Sequence, residues 1–195
     1  MTSLVALGEC MVEMAPTAGK RQFRMGFAGD TLNTAWYLRR LLGPADQIDY
    51  FTAVGTDVVS EHMISFLKQA GIGTEHILRR IDKSVGLYMI QLQEGERSFS
   101  YWRSDSAART LAADPLPLQA ALEGADYAYF SGITLAILPP EDRTRFLTVL
   151  RRFRDSGGRV VFDPNLRPKL WTSPQEMTEV VMQGAAVSDI ALPSY

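Results

Sequence analysis

A single cysteine, Cys10, in 195 residues excludes an intrachain disulfide framework, and two distant histidines, His62 and His76, leave no cluster spaced to ligate a metal. A large excess of either charge is missing too. With 20 Lys and Arg against 22 Asp and Glu, the net charge of −2 argues against nucleic acid or an anionic membrane as the main partner. No apolar run reaches the length of a membrane span, and residues 1–8 lack the basic start and long apolar stretch of a leader, so the expected location is cytoplasmic. Nor is there a repeat or a low-complexity tract. The dinucleotide fingerprint Gly-x-Gly-x-x-Gly, the phosphate loop Gly-x-x-x-x-Gly-Lys-Ser/Thr and the nucleophile elbow Gly-x-Ser-x-Gly are all absent. What is present is 46% apolar residues, enough for one globular domain over 1–195.

The chain is organised around Gly26-Phe27-Ala28-Gly29-Asp30-Thr31-Leu32-Asn33-Thr34. Gly29 permits a close ligand approach, Asp30 or Thr31 is suited to cap a helix, and Leu32, Ala35, Trp36 and Leu38 to Leu42 continue at helical spacing to the stop at Gly43-Pro44. Two readings of the polar pair stay open. Asp30 is a helix cap and Asn33 merely polar, or together they clamp a polyol, the carboxylate accepting two hydroxyl hydrogen bonds and the amide supplying a donor and an acceptor.

Leu4-Val5-Ala6-Leu7-Gly8 and Tyr50-Phe51-Thr52-Ala53-Val54-Gly55 read as strands buried on both faces. Segments 10–15 and 23–27 suggest a hairpin. Thr56-Asp57 start a helix with Met63, Phe66, Leu67 and Ala70 on one side. Leu87–Gln93 and Ser98–Arg103 form a second hairpin signal around Glu94-Gly95-Glu96-Arg97, with Phe99, Tyr101 and Arg103 sharing a face and Tyr88 on the partner strand. That hairpin reads either as a solvated edge or as a face presenting phenol and guanidinium side by side. Tyr127–Gly132 and Arg159–Asp163 are further strands, and the exit Asp163-Pro164-Asn165-Leu166-Arg167-Pro168 lies where open α/β sheets place ligands. Pro139-Pro140 precede a helix carrying Phe146, Leu150 and Phe153. Ser173-Pro174-Gln175-Glu176 is a capping box before Met177, Val180 and Val181, and Asp189 to Pro193 begin a strand. The expectation is an α/β fold, a doubly wound and mostly parallel sheet, with segments of about 10–27 and 85–103 set off as a small β lid.

Gly8-Glu9-Cys10-Met11-Val12-Glu13, Gly29-Asp30-Thr31-Leu32-Asn33, Gly55-Thr56-Asp57, Gly86-Leu87-Tyr88, Tyr101-Trp102-Arg103, Ser131-Gly132-Ile133 and Asp163-Pro164-Asn165-Leu166-Arg167-Pro168 together resemble the ribokinase-type (PfkB) carbohydrate kinases. Within them the Tyr-Trp-Arg and Asp-x-Asn-x-Arg elements are similar to the 2-keto-3-deoxygluconate kinase branch. The resemblance implies a ribokinase-like fold and ATP-dependent phosphorylation of a sugar acid's terminal hydroxyl, with Mg2+. It also implies that Gly29, Asp30 and Asn33 hold sugar hydroxyls, that Tyr88, Tyr101 and Ile133 line the sugar pocket, and that Arg103 and Arg167 meet the anionic end. Asp163 and Asn165, with Arg167, would lie toward the phosphate and nucleotide. Guanidinium suits a carboxylate because it engages both oxygens at once.

One departure limits what these residues can do alone. The family's catalytic aspartate stands in a Gly-Ala-Gly-Asp type motif whose helix start stabilises the transferring phosphoryl group, and no such motif occurs here. The expectation is therefore the amino-terminal portion of such a kinase, truncated on the carboxyl-terminal side, with catalytic residues beyond Tyr195. By itself it is expected to be inactive and to associate with copies of itself through an open sheet edge. The alternative is a non-catalytic sugar-acid-binding module.

Overall fold

A computed structural model describes residues 1–19, 21–93 and 96–193. Its strands and helices run, in chain order, β1 Ser3–Leu7, β2 Met11–Pro16, β3 Phe23–Ala28, α1 Asp30–Leu41, β4 Gln47–Phe51, β5 Ala53–Val54, α2 Val58–Gln69 and β6 Leu78–Arg79. They continue with β7 Leu87–Gln93, β8 Glu96–Trp102, α3 Pro115–Leu122, β9 Tyr127–Ser131, α4 Gly132–Ile137, α5 Pro140–Asp155, β10 Arg159–Asp163, α6 Pro174–Ala186 and β11 Ile190–Ala191.

Successive residues of a strand point to opposite faces, and here each face has its own core. Val5 and Leu7 of β1, Ala128 and Phe130 of β9, and Val160 and Phe162 of β10 enter one core with Leu118, Phe146, Leu150 and Val180 of the later helices. Ala6, Tyr50 and Tyr129 enter the other with Leu32 and Ala35 of α1 and Met63 and Leu67 of α2. Helices therefore cover both faces of a five-stranded sheet of order β11-β10-β9-β1-β4, every pairing in it parallel. That is the doubly wound arrangement, and it explains why the strands read as unbroken apolar runs.

The lid is one mixed sheet of order β3-β2-β7-β8. β2 pairs antiparallel with β3 and β7 with β8, while Val12–Met14 pair in parallel with Leu87–Met89. The two expected hairpins are thus fused edge to edge, a pairing that no local pattern specifies. Of the second turn, Glu94 and Gly95 lie outside the described residues.

Several local expectations change. The apolar run at Tyr50–Gly55 is two strands, because β4 stays in the main sheet while Ala53–Val54 turn away to pair with Leu78–Arg79 of β6. The strand at Tyr127–Gly132 ends at Ser131, whose side chain caps α4, a short helix the apolar pattern concealed. At α6 only half of the capping box forms. Ser173 Oγ accepts from Glu176 N at 3.1 Å, whereas the Glu176 carboxylate turns to Thr172 and Arg143.

Candidate functional site

The direction in which strands are added to the sheet reverses between β1 and β9, which themselves run parallel. From β1 the sheet is extended outward by β4, and from β9 by β10 and β11, so the carboxyl ends of β1 and β9 flank a topological switch point, where open α/β sheets leave a crevice. The backbone is crowded there. A β-carbon at Gly29 would lie 2.2 Å from the Glu9 carbonyl oxygen, and one at Gly132 only 2.0 Å from that of Pro164, so neither position accepts another residue without backbone movement.

Gly29, extended at φ −178° and ψ 155°, is the N-cap of α1, and no side chain caps the helix. The capping role expected of Asp30 or Thr31 is thereby corrected. Asp30 is the first helical residue, favourably placed for an anion at a helix start, and Asn165 Nδ2 donates to its Oδ2 at 2.8 Å. Thr31 is buried, its hydroxyl 2.9 Å from that of Tyr50. Asn33 is exposed at the start of the same helix.

Asn165 takes a left-handed backbone, φ 33°, and its N–H donates to Asp163 Oδ1 at 3.0 Å. That tight turn after β10 brings the amide back to Asp30 at the start of α1. Burial pushes the Asp163 carboxyl above its ordinary value, as does the Asp30 charge, while its bond from Asn165, Arg167 and Tyr129 pull the other way. Thr34 Oγ1 donates to the Tyr129 hydroxyl at 3.1 Å, and burial pushes that phenol up to about 12. Asp30, Asn165, Asp163, Tyr129 and Thr34 thus form one polar cluster at the switch point. Thr34 and Tyr129 were missed by sequence reasoning. Tyr129 lies in an apolar strand run, and only its alternation with Ala128 and Phe130 turns it to the α1 face.

A second polar group belongs to the lid. Gly26, Glu13, Tyr88 and Tyr101 stand side by side across its four strands. The Tyr88 hydroxyl donates to Glu13, and burial together with that carboxylate pushes the phenol well up. The rings of Tyr88 and Tyr101 are 5.8 Å apart, and Phe99 lies 6.3 Å from Tyr101. Phe99 and Tyr101 remain 47% and 53% exposed, leaving an open aromatic face. Arg103 lies one residue past β8 and is not a free cation: its Nη2 pairs with Glu9, which is buried and also accepts from Ser106. Arg167 is exposed, donating to its own neighbour's carbonyl, Leu166 O, at 2.9 Å. Ile133 is half-buried against the core behind the switch point. The expected residues therefore divide into a cluster at the sheet, a lid face, and Arg103 at the joint between them.

Among the described residues no group of three or more His, Cys, Asp or Glu could hold a metal ion. Magnesium in phosphoryl transfer rests on one or two carboxylates and on the nucleotide's phosphates, and needs no all-protein cage. No described helix is long and apolar enough to cross a membrane.

The family model for pfkB family carbohydrate kinases matches residues 1–195. The chain is 43% identical over 195 residues to a 2-dehydro-3-deoxygluconokinase of Dickeya dadantii, covering 97% of this chain and 62% of that protein. A second 2-dehydro-3-deoxygluconokinase, of Haemophilus influenzae, is 39% identical, with 100% of this chain and 63% of the relative covered. The chain thus spans a little over three fifths of the length of these relatives. In fold it is similar to a PfkB protein from Polaromonas sp. JS666, at a TM-score of 0.87 and 24% identity, over 99% of this chain and 66% of that one.

Proposed function

Since the chain belongs to the pfkB family of carbohydrate kinases, we propose that it supplies the sugar side of an ATP-dependent phosphorylation of 2-keto-3-deoxygluconate. The observation that carries this reading is the 2.8 Å bond from Asn165 Nδ2 to Asp30 Oδ2. It holds a carboxylate at a helix start, in the crevice of the switch point, with one oxygen left for hydroxyl donors. Asp30 and Asn33 take sugar hydroxyls, Tyr88 and Tyr101 cover the carbon chain, and Arg167, exposed at the strand exit, takes the carboxylate. Arg103 contributes by the part of its guanidinium that Glu9 does not occupy. The name of the relatives at 43% and 39% identity supports the sugar acid as the substrate.

Phosphoryl transfer is mostly positioning and charge stabilisation. The 195 residues contain no Gly-Ala-Gly-Asp type motif, so for this chain by itself the proposal is sugar-acid binding. Transfer from ATP is proposed for the protein in which a base and a phosphate-stabilising helix start complete the site. Calorimetric titration with 2-keto-3-deoxygluconate and with fructose tests the binding. We expect the acid to bind more tightly than the neutral sugar, and Asp30→Ala to lower affinity for both by about 100-fold or more while the variant stays folded. Unchanged affinity in Asp30→Ala would remove the clamp from the proposal. Coupled ADP release on the same samples separates a kinase from a binding module.

A further inference from the structure

Between the parallel sheet and the lid the chain crosses after β1, again into α1, again before β7 and again after β8. Glu9 touches every crossing. It lies on the first itself. Its carbonyl oxygen occupies the space a β-carbon would need at Gly29 on the second, 2.2 Å away, and its Oε1 would be 2.9 Å from one at Gly86 on the third. On the fourth, Arg103 Nη2 and the Ser106 hydroxyl both donate to its carboxylate. Two crossings therefore carry glycine where Glu9 needs the room, and a third carries its cation.

Glu9 is 2% exposed. Burial pushes its carboxyl up, and the Arg103 charge and the Ser106 bond only partly offset that. A buried ion pair is often no more stabilising than apolar side chains of the same volume, so stability is a poor account of Glu9. Geometry is a better one, because charge-assisted bonds fix distance and direction where apolar contacts slide. We propose that Glu9 is a positioning residue that sets the angle of the lid to the parallel sheet, and with it the distance between the Tyr88–Tyr101 face and Asp30. The relevance of that distance to catalysis rests on the sugar-acid reading above. The Arg103 guanidinium, 5.9 Å from the Tyr101 ring centre, carries the constraint onto the aromatic face.

The test uses the 195-residue chain, the variant Glu9→Gln, and the double variant Glu9→Gln, Arg103→Met, which removes both buried charges at similar volume and so guards against simple misfolding. Amide hydrogen exchange is followed in β2 and β7 of the lid and in β1 and β9 of the sheet, beside titration with 2-keto-3-deoxygluconate and fructose. The expected result is lid exchange faster by about tenfold or more in both variants, with sheet exchange in the double variant at the parent's rate. Sugar-acid affinity should fall by about tenfold although the double variant melts no lower than the parent. Lid exchange unchanged in a folded variant, or protection lost evenly from lid and sheet in the double variant, would overturn the proposal. A parent chain that binds neither sugar would refute the substrate reading instead, and lid exchange would still decide the role of Glu9.

Discussion

At the scale of single residues, the site depends on where one amide points. Asn165 reaches Asp30 only because its backbone is left-handed, a conformation that asparagine tolerates better than most residues and glycine tolerates freely. Asn165→Gly therefore removes the amide without adding strain, and an alanine there would do both. A hydrogen bond to a charged group is worth about 1.5–3 kcal/mol, so Asn165→Gly should weaken sugar-acid binding roughly 10- to 150-fold if Asp30 must be held to bind. Titration of the glycine variant checks this, and a parent-like affinity would mean that Asp30 orients itself. Asp163 gives a different signature. Its carboxyl is raised in the folded chain, first by burial, so its favourable contribution is complete below the ordinary value of 3.8 and is lost as pH rises through the raised value. Asp163→Asn does not titrate there. The melting temperature of the variant relative to the parent should climb as pH rises above 3.8 and then level off; a constant difference would exclude Asp163 as the titrating group. The residue types at Asp30, Asn165 and Arg167 were legible in the sequence as chemistry. Their partners were not, since Asn165 and Asp30 are separated by most of the chain and Arg103 meets a glutamate on a different strand exit.

Helices and strands were legible to the extent that their signals are local. Asp57 is the clearest instance. It caps α2 by accepting from Ser60 N at 3.0 Å, and burial, which would raise its carboxyl, is outweighed by bonds from Ser60 and Ser84 that bring it below the usual range. The Asp-then-apolar pattern is enough to find it. At α1 the same rule names the wrong residue, because the cap position is crowded by the Glu9 carbonyl and only glycine fits. The strand break after Phe51 was hidden for a related reason. Ala53 and Val54 are as apolar as their neighbours, and what turns them aside is pairing with Leu78–Arg79, distant in sequence. Because Asp57 also accepts from Ser84, on the approach to β7, its loss should exceed a plain cap deletion. Asp57→Ala is expected to cost about 1–2 kcal/mol, with Ser84→Ala costing less, and a double-mutant cycle by urea unfolding should give a non-zero coupling between them. Strict additivity would mean that the 2.9 Å contact from Ser84 carries no energy.

In the whole molecule, two layers with different construction meet at the crevice. The parallel sheet has an apolar core on each face, whereas the lid is four strands with an exposed aromatic side and few neighbours beyond its own root. Periodicity identified the first because burial on both faces leaves an uninterrupted apolar run. It found the two halves of the second but not their union, since parallel pairing of Val12–Met14 with Leu87–Met89 depends on a register that one sequence does not encode locally. If the sugar acid is held by Asp30 and Arg167 below and by Tyr88 and Tyr101 above, its binding energy must stabilise one layer against the other. At 100 times the dissociation constant a ligand adds about 2.7 kcal/mol to the bound state. The distribution of that gain distinguishes the two geometries. A ligand spanning the crevice should slow amide exchange in β2 and β7 as well as at the start of α1 and the exit of β10, with the lid gaining more because it has less packing of its own to begin with. A ligand confined to the sheet would protect α1 and β10 and leave the lid exchanging as before. Exchange measured with saturating 2-keto-3-deoxygluconate, against a matched sample in fructose, therefore reads whether the aromatic face closes on substrate or only stands beside it.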